Sequence, residues 1–388
     1  VPSLADHITE VPPSGVRAIF NTALAMSAAG ERVTHLAVGE PDLAPEPHVV
    51  EAARAAWARG EVRYAPNGGL PALREHLAQV TTAQRGTEVT PDQIWITIGG
   101  TQALYLAFTL VLGRRDKVLV PDPGYTTFTM APAALGARPV PYPLRPERGF
   151  APSLADIAPL LTRRTRAIVV NSPSNPLGTV LSRGRLQQIV DIASASDLWI
   201  ISDEVYSGLV HDGEHVSIAS LPGAEGRVLS VHSVSKTYAL TGARVGYLVT
   251  PPGWSDVLNA VQEAMVSCVA PPDQHAALSA LTGPQEGVAR ARAHYAENLR
   301  LATGLLAERG FEWLPPKGGF YVWVDVRERV AASGLGSVAA WARELLVQRR
   351  VSVAPGSAFG ASGEGWARLC VAASPEAITT GIDALATF

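Results

Sequence analysis

Only three lysines, Lys117, Lys236 and Lys317, stand among the 32 basic side chains of this 388-residue chain; the other 29 are arginines. Chemistry that needs an amine therefore has few candidates. Lys236 has the right setting. It closes the run Ser233-Val-Ser-Lys236 just past an apolar stretch, and Arg244 follows eight residues on. A lysine at the end of a buried segment tends to lose its charge, and a neutral amine is what forms a Schiff base with a carbonyl. Two serine hydroxyls and a guanidinium are donors suited to a phosphate group. Lys117 begins an apolar run after a charged turn, and Lys317 sits in Pro-Pro-Lys-Gly-Gly. Neither has an anion-binding setting.

These residues must be positioned by elements that the apolar pattern makes visible. Between residues 47 and 281, helical stretches alternate with short apolar runs at 93–98, 117–121, 166–171, 198–203, 227–232 and 244–249. Runs rich in β-branched residues and leucine, bounded by turn signals, read as strands buried on both faces, and hence as a mostly parallel sheet between helical layers. In such a sheet ligands bind at the carboxyl ends of the strands. That rule selects Gly99-Gly-Thr-Gln102, Pro121-Asp-Pro-Gly-Tyr125, Asn171-Ser-Pro-Ser-Asn175, Asp203-Glu-Val-Tyr206 and Ser233-Val-Ser-Lys236. After Pro284 the texture changes to a long helical segment at 287–309, strands at 319–325 and 366–372, and helices at 338–349 and from Pro375. This predicts a smaller α+β domain, which the N-terminal segment joins.

Composition narrows the rest. With 47% hydrophobic and 17% charged residues, the chain has material for a large core and a subunit interface. A net charge of −3 without a basic run gives no footprint for nucleic acid or an anionic membrane surface. Cys268 and Cys370 are too far apart for a disulfide framework or a metal cluster, so no metal is expected. No apolar stretch is long enough to span a membrane and the start lacks a leader pattern, so a cytoplasmic location is the expectation.

A Schiff-base lysine beside a phosphate site points to pyridoxal 5′-phosphate. The chain resembles the fold-type I pyridoxal-phosphate enzymes of the class I/II aminotransferase family, which includes aspartate, aromatic and alanine aminotransferases. The S-x-S-K signature followed by G-x-R-x-G carries the likeness. So do, in order, Gly39-Glu-Pro-Asp42, Tyr64, Gly100-Thr-Gln102, Tyr125, Asn175-Pro176, Asp203-Glu-x-Tyr206, Pro355-Gly-Ser357 with Phe359-Gly360, and Arg368. The resemblance implies an α/β fold whose large domain, residues 46–283, holds a mostly parallel seven-stranded sheet sandwiched by helices. Residues 1–45 and 284–388 would form the smaller α+β domain.

By the same resemblance Lys236 forms the internal aldimine and then moves the substrate's α-proton. Asp203 keeps the pyridine nitrogen protonated, so that the ring stays an electron sink; in isolation an Asp after a strand would read as a helix cap. Asn175 and Tyr206 hydrogen-bond the phenolic oxygen, although Asn-Pro is also ordinary turn chemistry. Tyr125 stacks on the ring or is a core aromatic. Gly100, Thr101 and Gln102 bind the cofactor at a helix start whose amides cage the phosphate, joined by Ser233, Ser235 and Arg244. Tyr64 reaches the phosphate of a neighbouring subunit, which makes a homodimer with shared active sites. Arg368 grips the substrate α-carboxylate, Asn175 also contacts the substrate, and Gly39 lets it approach the backbone.

Two positions depart from the family pattern: Ala243 is smaller than usual, and Thr101 stands where a subgroup preferring acidic substrates carries lysine. The implied activity is ping-pong transfer of an amino group from an L-amino acid to a 2-oxo acid, with 2-oxoglutarate and glutamate as one pair. The alternative is a carbon–sulfur β-lyase or related eliminating enzyme of the same fold. A regulator's effector domain is a third reading, and it would need a basic DNA-binding module that the residues before Gly39 do not supply.

Overall fold

Apolar runs ending at turn residues assemble into a seven-stranded sheet with both faces covered, and a second, smaller sheet packs against its carboxyl edge. The computed structural model describes residues 2–388. In chain order the strands are β1 (Thr34–Leu36), β2 (Ile94–Ile98), β3 (Lys117–Asp122), β4 (Arg138–Pro143), β5 (Thr165–Asn171), β6 (Trp199–Asp203), β7 (Val228–Ser233), β8 (Val245–Val249), β9 (Trp313–Leu314), β10 (Tyr321–Asp325), β11 (Val351–Pro355) and β12 (Trp366–Cys370).

The large sheet has the order β2-β8-β7-β6-β5-β3-β4. From β7 to β4 all neighbours are parallel, and β8 alone runs against both of its neighbours. Alternate residues of a strand enter different cores. Val118 and Val120 of β3 pack with Phe108, Phe128 and Leu229, whereas Leu119 packs with Ile168, Leu186 and Ile189. Helix Gly99–Val111 covers the first face and helix Arg183–Ala195 the second. The fold class expected from the sequence is the one observed. The strand that the apolar pattern does not reveal is β4, whose prolines at 139, 141 and 143 break any β-like run; it is an edge strand, where proline is tolerated.

The reversal of β8 has a consequence for chemistry. Strands β2, β3, β5, β6 and β7 end at one edge, and β8 begins there, with Val245 opposite Ile98 and Gly246 opposite Ser233. Arg244, immediately before β8, thus joins residues that follow the other strands.

The smaller sheet has the order β1-β11-β12-β10-β9, with β1 parallel to β11 and the remaining pairs antiparallel. One face is covered by helices Glu286–Glu308, Val338–Arg349 and Pro375–Thr387, with Tyr295, Trp341, Leu345 and Ile382 buried around Val322, Val324, Ala367 and Leu369. The period of two turns Trp323 and Trp366 to the other face. Their rings stack 6.1 Å apart, and Phe150 meets Trp366 edge-on at 5.2 Å, in the core that also holds Leu119 and Ile168. These aromatics join the two sheets. The same alternation sets Tyr321 and Arg368 toward the carboxyl edge of the large sheet. No single helix is long and apolar enough to cross a membrane.

Gly246 shows how tightly the edge is built. A Cβ there would lie 2.5 Å from Gly99 C, 2.6 Å from Gly100 N and 2.8 Å from His232 O, all backbone atoms that cannot rotate away. Gly246→Ala is expected to destabilise the protein by about 1–3 kcal/mol through overpacking. A lowered denaturant midpoint relative to the parent, read by far-UV circular dichroism, checks this.

Candidate active site

A cavity of about 570 Å³ opens where the two sheets meet. Gly39, Gly100, Thr101, Tyr125, Asn175, Asp203, Tyr206, Ser233, Ser235, Lys236, Arg244 and Arg368 all line it, so twelve of the fourteen residues singled out in the sequence converge there. The other two are elsewhere. Gln102 does not reach the cavity: its Oε1 accepts from Ile98 N–H at 2.6 Å and its Nε2 donates to Gln262 at 3.2 Å, so its side chain braces the helix start. Tyr64 is 92% exposed on the surface, outside its own chain's cavity.

One end of the cavity is built for an anion. Helix Gly99–Val111 starts here with no side chain capping its free N–H groups, and the dipole places partial positive charge there. Ser233 Oγ donates to Ser235 Oγ at 2.8 Å. Arg244 has a φ of 54°, a left-handed conformation that a side-chain-bearing residue adopts only when its surroundings impose it. Its guanidinium donates to Thr241 O at 2.7 Å and lies against Gly99, where a Cβ would fall 2.5 Å from Nη2. Arg244 makes no ion pair with a carboxylate among the described residues.

Arg368, which is 3% exposed, also lines the cavity. It donates to Asn175 Oδ1 at 2.6 Å and to the Ala37 carbonyl, and lies 4.3 Å from the Tyr321 ring centroid and 4.8 Å from that of Phe359. Its Nε has no partner, and it too forms no ion pair among the described residues. A buried cation without an anion is costly, and the orphaned N–H marks a place for one.

Lys236, close enough to feel the charge of both arginines, and Asp203 line the same cavity. Lys236 Nζ donates to Gly39 O at 2.8 Å. Burial pulls its amine down to about 8, with nearby Arg368 and Arg244 adding to the effect and Cys370 and Glu40 opposing it. Burial lifts Asp203 to about 7, helped by neighbouring Glu204 and resisted by the Val205 N–H and by Lys236. Tyr206 and Tyr321 share a 2.6 Å hydrogen bond between hydroxyls, and burial raises both.

Sequence reasoning passed over Tyr321, which sits inside a run readable only as strand. It also explains Gly39 differently: a Cβ on Gly39 would fall 1.7 Å from the Tyr321 hydroxyl, so the space is filled by the protein's own side chain. Also unforeseen is the network behind Asp203. Glu204 is buried and accepts from Ser202 Oγ at 2.9 Å, Ser217 Oγ at 3.0 Å and His215 Nε2 at 2.8 Å. Burial alone would raise it, but the hydrogen bond and charge of His215, then His232 and Arg85, hold it down to about 2. No group of metal-ligating side chains occurs among the described residues.

A phosphate-type cradle, a lysine whose amine burial pulls down to about 8, a carboxyl group lifted to about 7 and a second anion position form a donor set that fits pyridoxal 5′-phosphate with an amino acid. On this fold, that combination defines the fold-type I pyridoxal-phosphate enzymes. The family model for aminotransferases of class I and II matches residues 31–385. An aspartate aminotransferase of Pyrococcus abyssi is 33% identical over 98% of this chain and 97% of its own length. An arginine–pyruvate transaminase of Pseudomonas aeruginosa is 39% identical over 90% of this chain and 88% of its own. The solved aspartate aminotransferase of Thermus thermophilus with maleate superimposes with a TM-score of 0.92 at 33% identity, each chain covered completely. The chain belongs to the class I and II aminotransferases, a pyridoxal-phosphate-dependent family, and is an aminotransferase.

Asp203 gives the site a pH signature in the cofactor-free protein. Because its folded value lies above that of an unfolded carboxyl, the native state holds the proton longer, and stability falls as pH rises from about 4 to about 7, then levels. Asp203→Asn removes that loss. The cofactor-free variant should match the parent near pH 4.5 and exceed it at pH 8, while binding the cofactor far more weakly. Denaturant titrations across pH 4.5–8 with a parallel cofactor titration check both.

Proposed function

We propose that this enzyme transfers an amino group from an L-amino acid to a 2-oxo acid in two half-reactions at one cavity, with 2-oxoglutarate and glutamate as one pair. The observation that carries the reading is that Lys236 shares one cavity with Arg244 and Arg368, neither of which has a carboxylate partner among the described residues. Bound pyridoxal phosphate would supply an electron sink for the carbanion at the substrate α-carbon. Lys236 would hold the cofactor's aldehyde carbon through Nζ and, once displaced by the substrate amine, move the α-proton. An amine near 8 is suited to both tasks, since general bases work best near the operating pH.

The other roles follow from position. The free N–H groups of Gly100 and Thr101, the hydroxyls of Ser233 and Ser235, and Arg244 would bind the phosphate. Asp203 would sit against the pyridine nitrogen and keep a proton there, and Tyr125 would lie on the ring face. Asn175 and Tyr206 would donate to the phenolic oxygen; the Tyr206–Tyr321 bond uses one hydroxyl proton and leaves the second to donate. Arg368 would fork the α-carboxylate beside Asn175. Residues 46–283 would act as the cofactor domain, with 1–45 and 284–388 as a smaller domain closing to exclude water. Tyr64, projecting from the surface, would complete the phosphate site of a second copy, so the working unit would be a homodimer.

The holoenzyme incubated with an amino acid and no oxo acid should accumulate pyridoxamine phosphate. Lys236→Ala should slow that conversion by about 10²–10⁴-fold, the usual worth of a positioned acid–base group. Release of pyruvate or a thiol with the cofactor unchanged would move the assignment to elimination. Tyr64→Phe should leave the stability of the cofactor-free chain unchanged, because the side chain touches little of its own subunit, yet speed cofactor loss several-fold. Dialysis followed by cofactor absorbance checks that pair of outcomes.

A further inference from the structure

We infer that Asn171, outside the cavity, is a positioning residue for the transfer reaction, holding both Asn175 and the end of β6 that carries Asp203; this deepens the transamination reading and rests on it. Asn171 closes β5, is buried, and does not line the cavity. Its Oδ1 accepts from Asn175 N–H at 2.8 Å, while its Nδ2 donates to Asp203 O at 3.1 Å and to Pro173 O at 3.3 Å. Both amide protons and the amide oxygen are thus in use. A flipped amide would set its oxygen against two carbonyls, so the surroundings accept one orientation only.

Local structure shows why a side chain is needed there. Asn175 stands in a loop with Pro173 and Pro176, neither of which has an N–H to donate. Ser172 N–H donates to Asp203 O at 3.2 Å and Ser174 N–H to Thr179 O at 2.9 Å, whereas Asn175 N–H has the Asn171 side chain as its partner. Asn175 is buried, so removal of the Asn171 amide would leave that N–H unpaired in a nearly dry place, and the backbone would have to move to satisfy it. The Asn175 side chain would move with it. Its Oδ1 accepts from Arg368 Nη1 at 2.6 Å, and it lines the cavity where its amide would donate to the cofactor's phenolic oxygen. Because Asn171 carries no charge, its removal acts on the site through position and not through a changed field.

The test reads the pH titration of the holoenzyme's visible absorbance, which needs no turnover. A donor at the phenolic oxygen stabilises the charge there and weakens that oxygen's hold on the proton at Lys236 Nζ, so losing the donor raises the midpoint. Asn175→Ala should raise it by about 1–2 pH units, the worth of a hydrogen bond to a charged group. Asn171→Ala should reproduce much of that shift, and the double variant should shift no further than Asn175→Ala alone, since one residue acts through the other. Crystal structures test the positioning apart from the chemistry: in Asn171→Ala the contact of Asn175 Oδ1 with Arg368 Nη1 should be broken. Should Asn171→Ala fail to fold, Asn171→Asp keeps the volume but sets a carboxylate against the Asp203 and Pro173 carbonyls, with the same two outcomes expected. An intact Asn175–Arg368 contact would overturn the assignment. So would additive shifts in the double variant, or an unmoved midpoint in Asn171→Ala where Asn175→Ala does shift. A parent that binds no cofactor, or an Asn175→Ala variant that titrates like the parent, would instead sink the reading of the site, and the crystallographic contact would still judge Asn171.

Discussion

A guanidinium buried without a carboxylate is the constraint around which the site is arranged. Arg368 can stay charged in a nearly dry position only because neutral dipoles and ring faces surround it: Asn175 Oδ1, the Ala37 carbonyl, Tyr321 and Phe359. Those four come from the loop after β5, the segment after β1, β10 and the turn after β11. The smaller sheet and the large one must therefore meet at this point. A chain carboxylate here would have stabilised the empty protein more, and would have removed the one property that makes the position useful, an unneutralised charge awaiting a ligand.

The same logic separates two adjacent carboxyl groups at the end of β6. Asp203 and Glu204 are both buried, and burial acts on both in the same direction. Their side chains have different surroundings: Asp203 lines the cavity, and Glu204, just past the strand, bonds Ser202, His215 and Ser217 instead. Glu204 enters a pocket of two hydroxyls and a histidine and stays ionised near 2. Asp203 faces the cavity with one backbone N–H as partner and rises to about 7. Glu204's charge is thus consumed internally and lifts its neighbour; Asp203's affinity for a proton is left for a ligand. Lys236 moves the other way, to about 8, so the acid and the amine are brought within about a unit of each other by desolvation.

The large sheet was legible because two-sided burial leaves uninterrupted apolar runs, and six of its strands coincide with such runs. Strand β4 was not, since its prolines satisfy an edge position by geometry and leave no apolar signature. Nor were β1 and β9, which are three and two residues long and exist through pairing with distant strands. At the site, Lys236, Asp203 and the glycine-led helix start could be found because strand ends announce them. Arg244 could be placed only by the motif, since nothing in the periodicity says that β8 reverses. Tyr321 was invisible: in Gly319-Phe-Tyr-Val-Trp its hydroxyl does the work, while the pattern reports only its apolar ring. Gln102 was included for its place in a motif, and its side chain turned out to belong to the helix start.

Among the hydrogen bonds that join the surroundings of the smaller sheet to the carboxyl edge of the large sheet at the cavity are Lys236 Nζ to Gly39 O, Arg368 Nη1 to Asn175 Oδ1, and Tyr206 to Tyr321. Each involves a group whose proposed task is to bind cofactor or substrate. The stacked Trp323 and Trp366, with Phe150 edge-on, do not line the cavity and join the two sheets by apolar contact. A ligand that takes Lys236 Nζ releases the Gly39 carbonyl, and one that takes the Arg368 fork competes with Asn175. Binding would therefore exchange polar partners beside that aromatic joint, and a carboxylate at Arg368 would also pair the Nε that has none in the empty protein. That arrangement lets the mouth of the cavity respond to its ligand while the carboxyl edge of the large sheet, locked by the contact of Gly246 with Gly99 and Gly100, keeps its shape.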